Sequence, residues 1–390
     1  MSRRQLRNFR WNGTQWATVT RSPYGELEPK LSTTIQEDSI QTVYETIRIA
    51  TFNILADCFP WFIKMVIRSD ERFEWLCIGI TNLNPTIIGL NEVTTTSLEQ
   101  LQRCSFIREN YFLTESLDER QFDGNTESNG CINGLLSNHG CVILSKFPLL
   151  EVFAISVSGS NREAVAVKVQ LNSKIENCVY FCAQHTTAYQ TPENAQLRAQ
   201  QISDIVNVLQ PLGHPFVLMG DLNLHYNFED SVVINNGFID AWAQTHFSRI
   251  YPFNDENQGY TFDVVKNNLI PYYIPGEYRQ MRLDRILFSC GFPAFAIKPC
   301  APWANEPIKS GNYLFPSDHF GLFIDIVTDI INDSKAFIPM GESDPSAEDI
   351  LFMNAQNNKN QRAYRLGLIR TIEAYVSHMA SLGAFALGLK

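Results

Sequence analysis

The chain has 390 residues, of which 45% are hydrophobic, 12% aromatic and 18% charged. That is enough apolar material for one large domain with appendages, or for two domains, and it excludes a disordered or fibrous chain. A formal net charge of −10 excludes a surface that is basic throughout, the usual footprint of a duplex-binding protein, while leaving room for a local basic groove.

No apolar run reaches the roughly 20 residues of a spanning helix, and the N-terminus lacks the apolar centre of a secretory signal, so the expected setting is intracellular, cytoplasmic or nuclear. The nine cysteines contain no CxxC pair. Cys77, Cys141, Cys178 and Cys182 fall inside apolar runs, as small buried hydrophobes of a reducing compartment do.

Residues 1–45 read as an N-terminal arm or extension. Arg3, Arg4, Arg7, Arg10 and Arg21 precede any acidic residue, a transit-like composition, yet Trp11, Trp16 and the threonines that follow fit a short strand or docking arm better. From Ile47 the alternation of Ile47, Ile49, Thr51 and Asn53 predicts a strand that ends in polar groups. Ser69 then stands where a helix cap belongs, before the one-sided apolar pattern Phe73, Leu76, Cys77, Ile80, Leu83, and Asn84-Pro85 stops that helix. Thr86–Leu90 predicts a buried strand ending in Asn91 and Glu92, with a helix through Leu98 and Leu101 after it. Strand, helix, strand is the start of a layered α/β domain.

Residues 108–138 are polar and rich in Gly and Asn, the pattern of a surface excursion. Short strands are expected at 141–144, 152–157, 164–171 and 179–183, the last running to His185. Thr191-Pro192 opens a helix whose apolar face is Ala195, Ala199, Ile202, Ile205 and Leu209. The run FVLMGDLN (216–223) predicts a buried strand that ends in Asp221 and Asn223 after a glycine. Gly-Asp-Leu-Asn is equally ordinary turn chemistry, so the run is a site or a turn. Residues 230–280 are irregular and aromatic, and late strands are expected at 283–288 and 320–326. The stretch 332–390 reads as a C-terminal extension, partly helical from about Glu348 to Gly383. No internal repeat is present.

Polar residues thus collect at strand ends: Asn53, Glu92, His185, Asp221, Asn223, Asp284, Asp318 and His319. Asp57 and Asp240 read as turn or cap residues, His225 as a surface residue, and His185 taken alone as a structural histidine. The pieces TFN (51–53), LNEV (90–93), GCVILSK (140–146), QH (184–185), GDLN (220–223), RLDRILF (282–288) and SDHFGL (317–322) together resemble the metal-dependent endonuclease/exonuclease/phosphatase superfamily. They span about seven-tenths of the chain.

The resemblance implies a four-layered α/β sandwich of two packed, mostly antiparallel sheets over residues 46–331, and hydrolysis of a phosphate ester with Mg²⁺ or Mn²⁺. It implies Glu92, Asn53 and Asp318 on the metal side, with Asp221 and Asn223 orienting and deprotonating the attacking water. It implies further that His319, held by Asp284, relays a proton and meets the phosphoryl oxygens, with His185 beside it. Physical chemistry asks for the same parts. A phosphodiester is anionic, so its hydrolysis needs positive charge at the non-bridging oxygens, a base for water and relief for the leaving group.

The substrate is divided between branches. RLDRILF, FPSDHFGL and YTFD (260–263) resemble the tyrosyl-DNA phosphodiesterase branch. TFNILAD and LNPTIIGLNEV resemble the deadenylase/2′-phosphodiesterase branch, though Asn91 stands where both usually have Gln. The expected partner is a nucleic-acid end or a small phosphoester. A sphingomyelinase or inositol phosphatase remains an alternative, with Tyr272-Tyr273-Ile274-Pro275 as its membrane-binding hairpin, and so does a scaffold without catalysis. Phe262 is expected to stack a base or to be core, and Arg162, Arg279, Arg282 and Arg285 are candidates for phosphate contacts, Arg162 and Arg282 foremost.

Overall fold

The computed structural model describes residues 2–19, 46–117, 130–171, 178–225, 229–246, 258–290, 292, 295–296, 298–309 and 312–327. The C-terminal extension with its expected helix lies outside them, as does 20–45. Nine principal strands carry the fold: β1 (Ile47–Asn53), β2 (Ile87–Val93), β3 (Gly140–Ser145), β4 (Glu151–Ile155), β5 (Ala164–Gln170), β6 (Cys178–Ala183), β7 (Phe216–Asp221), β8 (Asp284–Ser289) and β9 (Gly321–Val327).

They form two sheets. In the first the order is β9, β1, β2, β3, and in the second β4, β5, β6, β7, β8. Each sheet has one parallel pair, β1 with β2 and β6 with β7, and its other pairings are antiparallel. A parallel pair needs a crossover, and both are helices: Ser69–Leu83 in the first sheet and Pro192–Leu209 in the second.

Strand alternation builds the layers. In β6, Val179, Phe181 and Ala183 enter the core shared by both sheets, while Tyr180 and Cys182 pack with Ile202, Ile205 and Leu209 of the crossover helix. All six residues of β6 are therefore buried, and the same holds for β3, β7 and β8. Helix, sheet, sheet, helix is the expected four-layered sandwich.

Several local expectations are corrected. Ser69 is the first helical residue and not the cap. The cap position is Arg68 in the left-handed region (φ 46°), which joins this helix to a short one, Trp61–Ile67, that the sequence pattern had not suggested. The excursion at 108–138 is largely interior where it is described: Phe112–Leu113 pairs with β3, and Thr114, Glu115 and Ser116 are buried. The Glu115 carboxylate accepts the N–H groups of Ser116, Asn133 and Leu135 and so fixes the approach to β3.

Residues near the N-terminus border both sheets. Arg3–Gln5 pairs with β4, and the hairpin Phe9–Trp11/Trp16–Thr18 extends the first sheet through Phe112–Leu113. Cys141, Cys178 and Cys182 are buried as expected, whereas Cys77 is only half-buried. Among the described residues no helix is long and apolar enough to cross a membrane.

Candidate active site

The topology brings four strand ends to one edge. β1, β2, β6 and β7 all finish there, while β8 begins there and β9 follows directly on Asp318-His319. Asn53 is the hinge. Its amide nitrogen donates to Glu92 Oε1 at 3.1 Å and to Asp221 Oδ2 at 3.0 Å, joining an acid of each sheet. Its oxygen accepts the Leu55 N–H at 3.1 Å. The amide nitrogen is thus spent on the two carboxylates, while the oxygen keeps a second lone pair beside the Leu55 N–H.

Glu92 sits at an irregularity in the β2–β3 register and has φ 60°. A left-handed glutamate costs about 1–2 kcal/mol, and such strain persists where the surroundings hold it, commonly at functional sites. The Ala56 N–H donates to its Oε2 at 2.9 Å. Burial would raise the acid, but the nearby His185 ring and the bonds from Ala56 and Asn53 hold it down, at about 2. Glu92 is ionised at neutral pH.

Gly220 and Asn91 bring Asp221 to Asn53. A Cβ on Gly220 would lie 2.0 Å from the Gln184 carbonyl oxygen, so only glycine lets β7 approach β6 this closely. Asn91, fully buried, accepts the Asp221 N–H at 2.9 Å and donates to the Gln184 carbonyl at 3.1 Å, locking the first sheet to the second. Burial and the Asp284 charge, against the pull of His319, push Asp221 up to about 7. Asn223 is also left-handed (φ 48°), its N–H on Asp221 Oδ1 at 3.0 Å and its amide directed to the Thr186 carbonyl at 3.3 Å.

Two imidazoles face Asp221 Oδ2: His185 Nε2 at 3.5 Å and His319 Nε2 at 3.8 Å. Their protonation states differ. The Arg162 guanidinium meets His185 Nδ1 at 2.9 Å, and because a guanidinium only donates, Nδ1 must be the acceptor and Nε2 carries the proton. Burial and the Arg162 charge lower His185 to about 3, so this ring is neutral. His319 Nδ1 instead lies 2.7 Å from Asp284 Oδ2. Burial opposes its charge, but Asp284, Asp221 and Asp318 raise it well above the ordinary value, and His319 is an imidazolium.

Asp318 accepts a hydrogen bond from the Tyr273 hydroxyl, and Ser317 Oγ lies 3.1 Å from its Oδ1. Burial and the Glu92 charge raise it, against the pull of His319. Three carboxylates, Asp221, Asp284 and Asp318, thus surround one imidazolium. Among the described residues no three His, Cys, Asp or Glu side chains already form a metal-ligand cluster. The donor set, Glu92 and Asp318 with excess negative charge around them, nevertheless fits a hard divalent cation that keeps several waters.

The remaining expected residues divide. Arg162 joins the site through His185. Arg282 does not: its guanidinium lies 2.7 Å from Asp240 and 3.6 Å from Asp230, and Arg285 is held by the same two acids. Asp240 is thereby an ion-pair centre as well as a turn acid. Phe262 is 5% exposed and packs edge-on against His319 at 5.5 Å, so it walls the imidazole and leaves no face for a base. The Tyr272–Pro275 segment forms no free hairpin: Tyr272 stacks on Tyr313 at 4.0 Å and Tyr273 reaches Asp318. His225 is not a surface residue either. Its Nδ1 lies 3.3 Å from Met281 Sδ, and Nε2 is buried without a partner.

Three participants escaped the sequence reading. Asn91 reads in the sequence as a strand-end polar group and a departure from Gln, and Tyr273 as part of a hairpin, neither as a site residue. His139, the residue before β3, has its ring 5.9 Å from His185 and a buried, unpartnered Nδ1. Burial and Arg162 lower its pKa while Glu92 raises it. Its position directly before the motif GCVILSK was the available signal.

Solved structures with the same fold include D. rerio TDP2 complexed with single-strand DNA product, 18% identical, covering 72% of this chain and 98% of that one with a TM-score of 0.52. Truncated Caenorhabditis elegans TDP2 is 19% identical over 72% of this chain and 97% of its own, with a TM-score of 0.50. A conserved protein of unknown function from Enterococcus faecalis V583 is 16% identical over 73% and 100%, with a TM-score of 0.52. At these identities the likeness establishes the fold. No curated protein matches the sequence. The profile of the Endonuclease/Exonuclease/phosphatase family matches residues 50–319, and with the site drawn from both sheets inside that span, the chain belongs to this family of hydrolytic nucleases and phosphoesterases.

Proposed function

We propose that this enzyme is a divalent-cation-dependent phosphodiesterase acting on nucleic-acid ends, of the kind that releases tyrosine from a DNA 5′ phosphate. The observation that carries the chemistry is the convergence on Asp221 Oδ2 of Asn53, His185 and His319 at 3.0, 3.5 and 3.8 Å. Asp221, pushed to about 7, takes the proton of the attacking water, with Asn223 shaping the turn that presents it. His319, charged and fixed by Asp284, stabilises the non-bridging oxygens as negative charge grows, and then supplies a proton toward the leaving oxygen. Neutral His185 directs its Nε2–H into the same space, and Arg162 adds a cation behind it.

Glu92 and Asp318 would hold Mg²⁺ or Mn²⁺. When bound, such an ion would polarise the phosphoryl oxygen and offset the carboxylate charge. For the substrate, support comes from RLDRILF and FPSDHFGL, and from a net charge of −10, which suits a short footprint at a strand end better than a long duplex groove. A second reading, stepwise trimming of RNA from its 3′ end, draws on TFNILAD and LNPTIIGLNEV.

The test is Mg²⁺-dependent turnover on parallel panels: a 5′-tyrosyl DNA oligonucleotide, a 3′-oligoadenylate RNA, sphingomyelin and an inositol phosphate. Release of tyrosine with the 5′ phosphate intact is expected. Stepwise RNA shortening without tyrosine release would transfer the enzyme to the second reading, and cleavage of the lipid or inositol ester alone would overturn both.

A further inference from the structure

Arg72 lies in the first turn of the helix Ser69–Leu83 and is 1% exposed. Its Nε donates to the Ile67 carbonyl at 2.7 Å, Nη1 to those of Ile54 at 2.7 Å and Pro316 at 3.3 Å, and Nη2 to that of Leu55 at 3.0 Å and to Ser69 Oγ at 3.4 Å. A guanidinium has five N–H donors in one plane. Here five oxygens meet them, and none is a carboxylate.

A buried cation with neutral partners is less stable than an apolar side chain of similar size would be, so core stability does not account for it. Burial lowers its pKa only to about 10, and the charge persists. The acceptors explain its place. Ile54 and Leu55 follow Asn53, in the loop whose Ala56 N–H holds Glu92, and Pro316 precedes Ser317, Asp318 and His319. The same loops touch where Ser317 Oγ donates to the Asn53 carbonyl at 2.7 Å. Asp318, Tyr273, Asp57 and Glu92 are the groups that feel the Arg72 charge.

We propose that Arg72 is a positioning residue whose planar fork fixes the loop after β1 against the loop before β9, and so sets how Glu92 and Asp318 stand toward each other. The consequence for metal binding rests on the proposed function. The clamp itself rests on the five hydrogen bonds.

Charge and geometry give opposite signs. Removing a cation beside the metal side would, by Coulomb attraction alone, tighten divalent-cation binding, whereas releasing the loops weakens it. Lysine keeps the charge but has three donors on a flexible stem and no fork. The experiment compares Arg72→Met, Arg72→Lys and, as a control for lost stability in the same helix, Leu76→Val. Each is read by Mn²⁺ binding, followed through the resonance of the free ion, and by amide exchange at Leu55, Ala56 and His319.

Both Arg72 variants are expected to bind Mn²⁺ roughly 10- to 100-fold more weakly, as losses of supporting contacts do, with faster exchange at those three amides. Leu76→Val is expected to behave as wild type wherever it is folded. Should Arg72→Met not fold, Arg72→Lys carries the comparison. Wild-type binding and exchange in Arg72→Lys, or tighter Mn²⁺ binding in Arg72→Met, would overturn the proposal. Wild-type protein that binds Mn²⁺ yet hydrolyses none of the four esters would defeat the proposed function and leave the clamp standing. If wild type binds no Mn²⁺, the metal assignment falls and exchange alone decides for or against the clamp.

Discussion

Each crossover helix carries a buried arginine that binds the loop beyond a site strand, Arg72 in the first unit (β1, Ser69–Leu83, β2) and Arg198 in the second (β6, Pro192–Leu209, β7). Arg198 donates to the Thr187 and Tyr189 carbonyls at 3.1 and 3.0 Å, much as Arg72 reaches Ile54 and Leu55. The difference lies in the counter-charge. Arg198 is paired with Glu229 through two bonds of 2.8 and 3.0 Å, and Glu229 also accepts the His225 N–H at 2.9 Å. Arg72 has neutral partners only. The second unit is locally neutral, so Asp221 and His185 answer to their immediate neighbours. The first leaves a positive charge facing Glu92 and Asp318, where negative charge is in excess. On the proposed function, one unit serves proton transfer and the other holds the cation.

The largest effects should separate those roles. Asp221→Asn and His319→Ala are each expected to lower turnover by about 10²–10⁴-fold, with little change in the Mg²⁺ concentration for half-maximal rate. Asp221 must be ionised to accept a proton, so the wild-type rate should rise with pH through about 7. His319 must be charged, so the rate should fall again at a pH well above 6.5. The acid limb should vanish from whatever rate Asp221→Asn retains. Near-wild-type turnover in either variant would dissolve the division of labour.

Arg198→Met takes the guanidinium counter-charge from buried Glu229, a loss of about 3–5 kcal/mol measurable by urea unfolding. Replacing the pair together, Arg198→Met with Glu229→Leu, should restore most of it, because no charge is then stranded. The Mg²⁺ requirement should not move in either. If it moves as it does for Arg72, the two arginines are equivalent and the contrast fails. Glu92→Gln should act the other way, raising the half-saturating Mg²⁺ roughly tenfold or more, as losing the firm carboxylate of a hard-cation site does, with little change in unfolding.

What the sequence shows of this arrangement follows from range of contact. A buried strand announces its end where the apolar run meets a carboxylate or amide, so Asn53, Glu92, Asp221 and the edge they share were legible, as were both crossover helices. Contacts that make the site work are distant along the chain: Asn53 meets Asp221 across 168 residues, and Arg72 meets Pro316 across 244. Arg72 looked like any polar residue of an amphipathic helix. Arg282 looked like a phosphate contact because its acids, Asp240 and Asp230, stand at the far end of the irregular aromatic stretch, 230–280, that precedes it. Phe262 carries no mark in the sequence of which way its ring faces.

The smallest expected effect concerns how the two crossover helices begin. Thr191 is extended, and its side chain accepts the Asn194 N–H, with proline following at the first helical position. Thr191→Ala should therefore cost about 1 kcal/mol. Ser69 has the right chemistry for a cap but sits one residue too late, because left-handed Arg68 already joins the preceding helix to this one, and no side chain caps the end. Among the described residues its hydroxyl has only the long 3.4 Å contact from Arg72. Ser69→Ala should thus fall within about 0.5 kcal/mol of wild type, the range of substitutions that remove no cap or core contact. Equal losses for the two in chemical unfolding would mean that Ser69 caps after all. The first unit would then begin as the second does, and Arg68 would no longer be needed to explain how the helix starts.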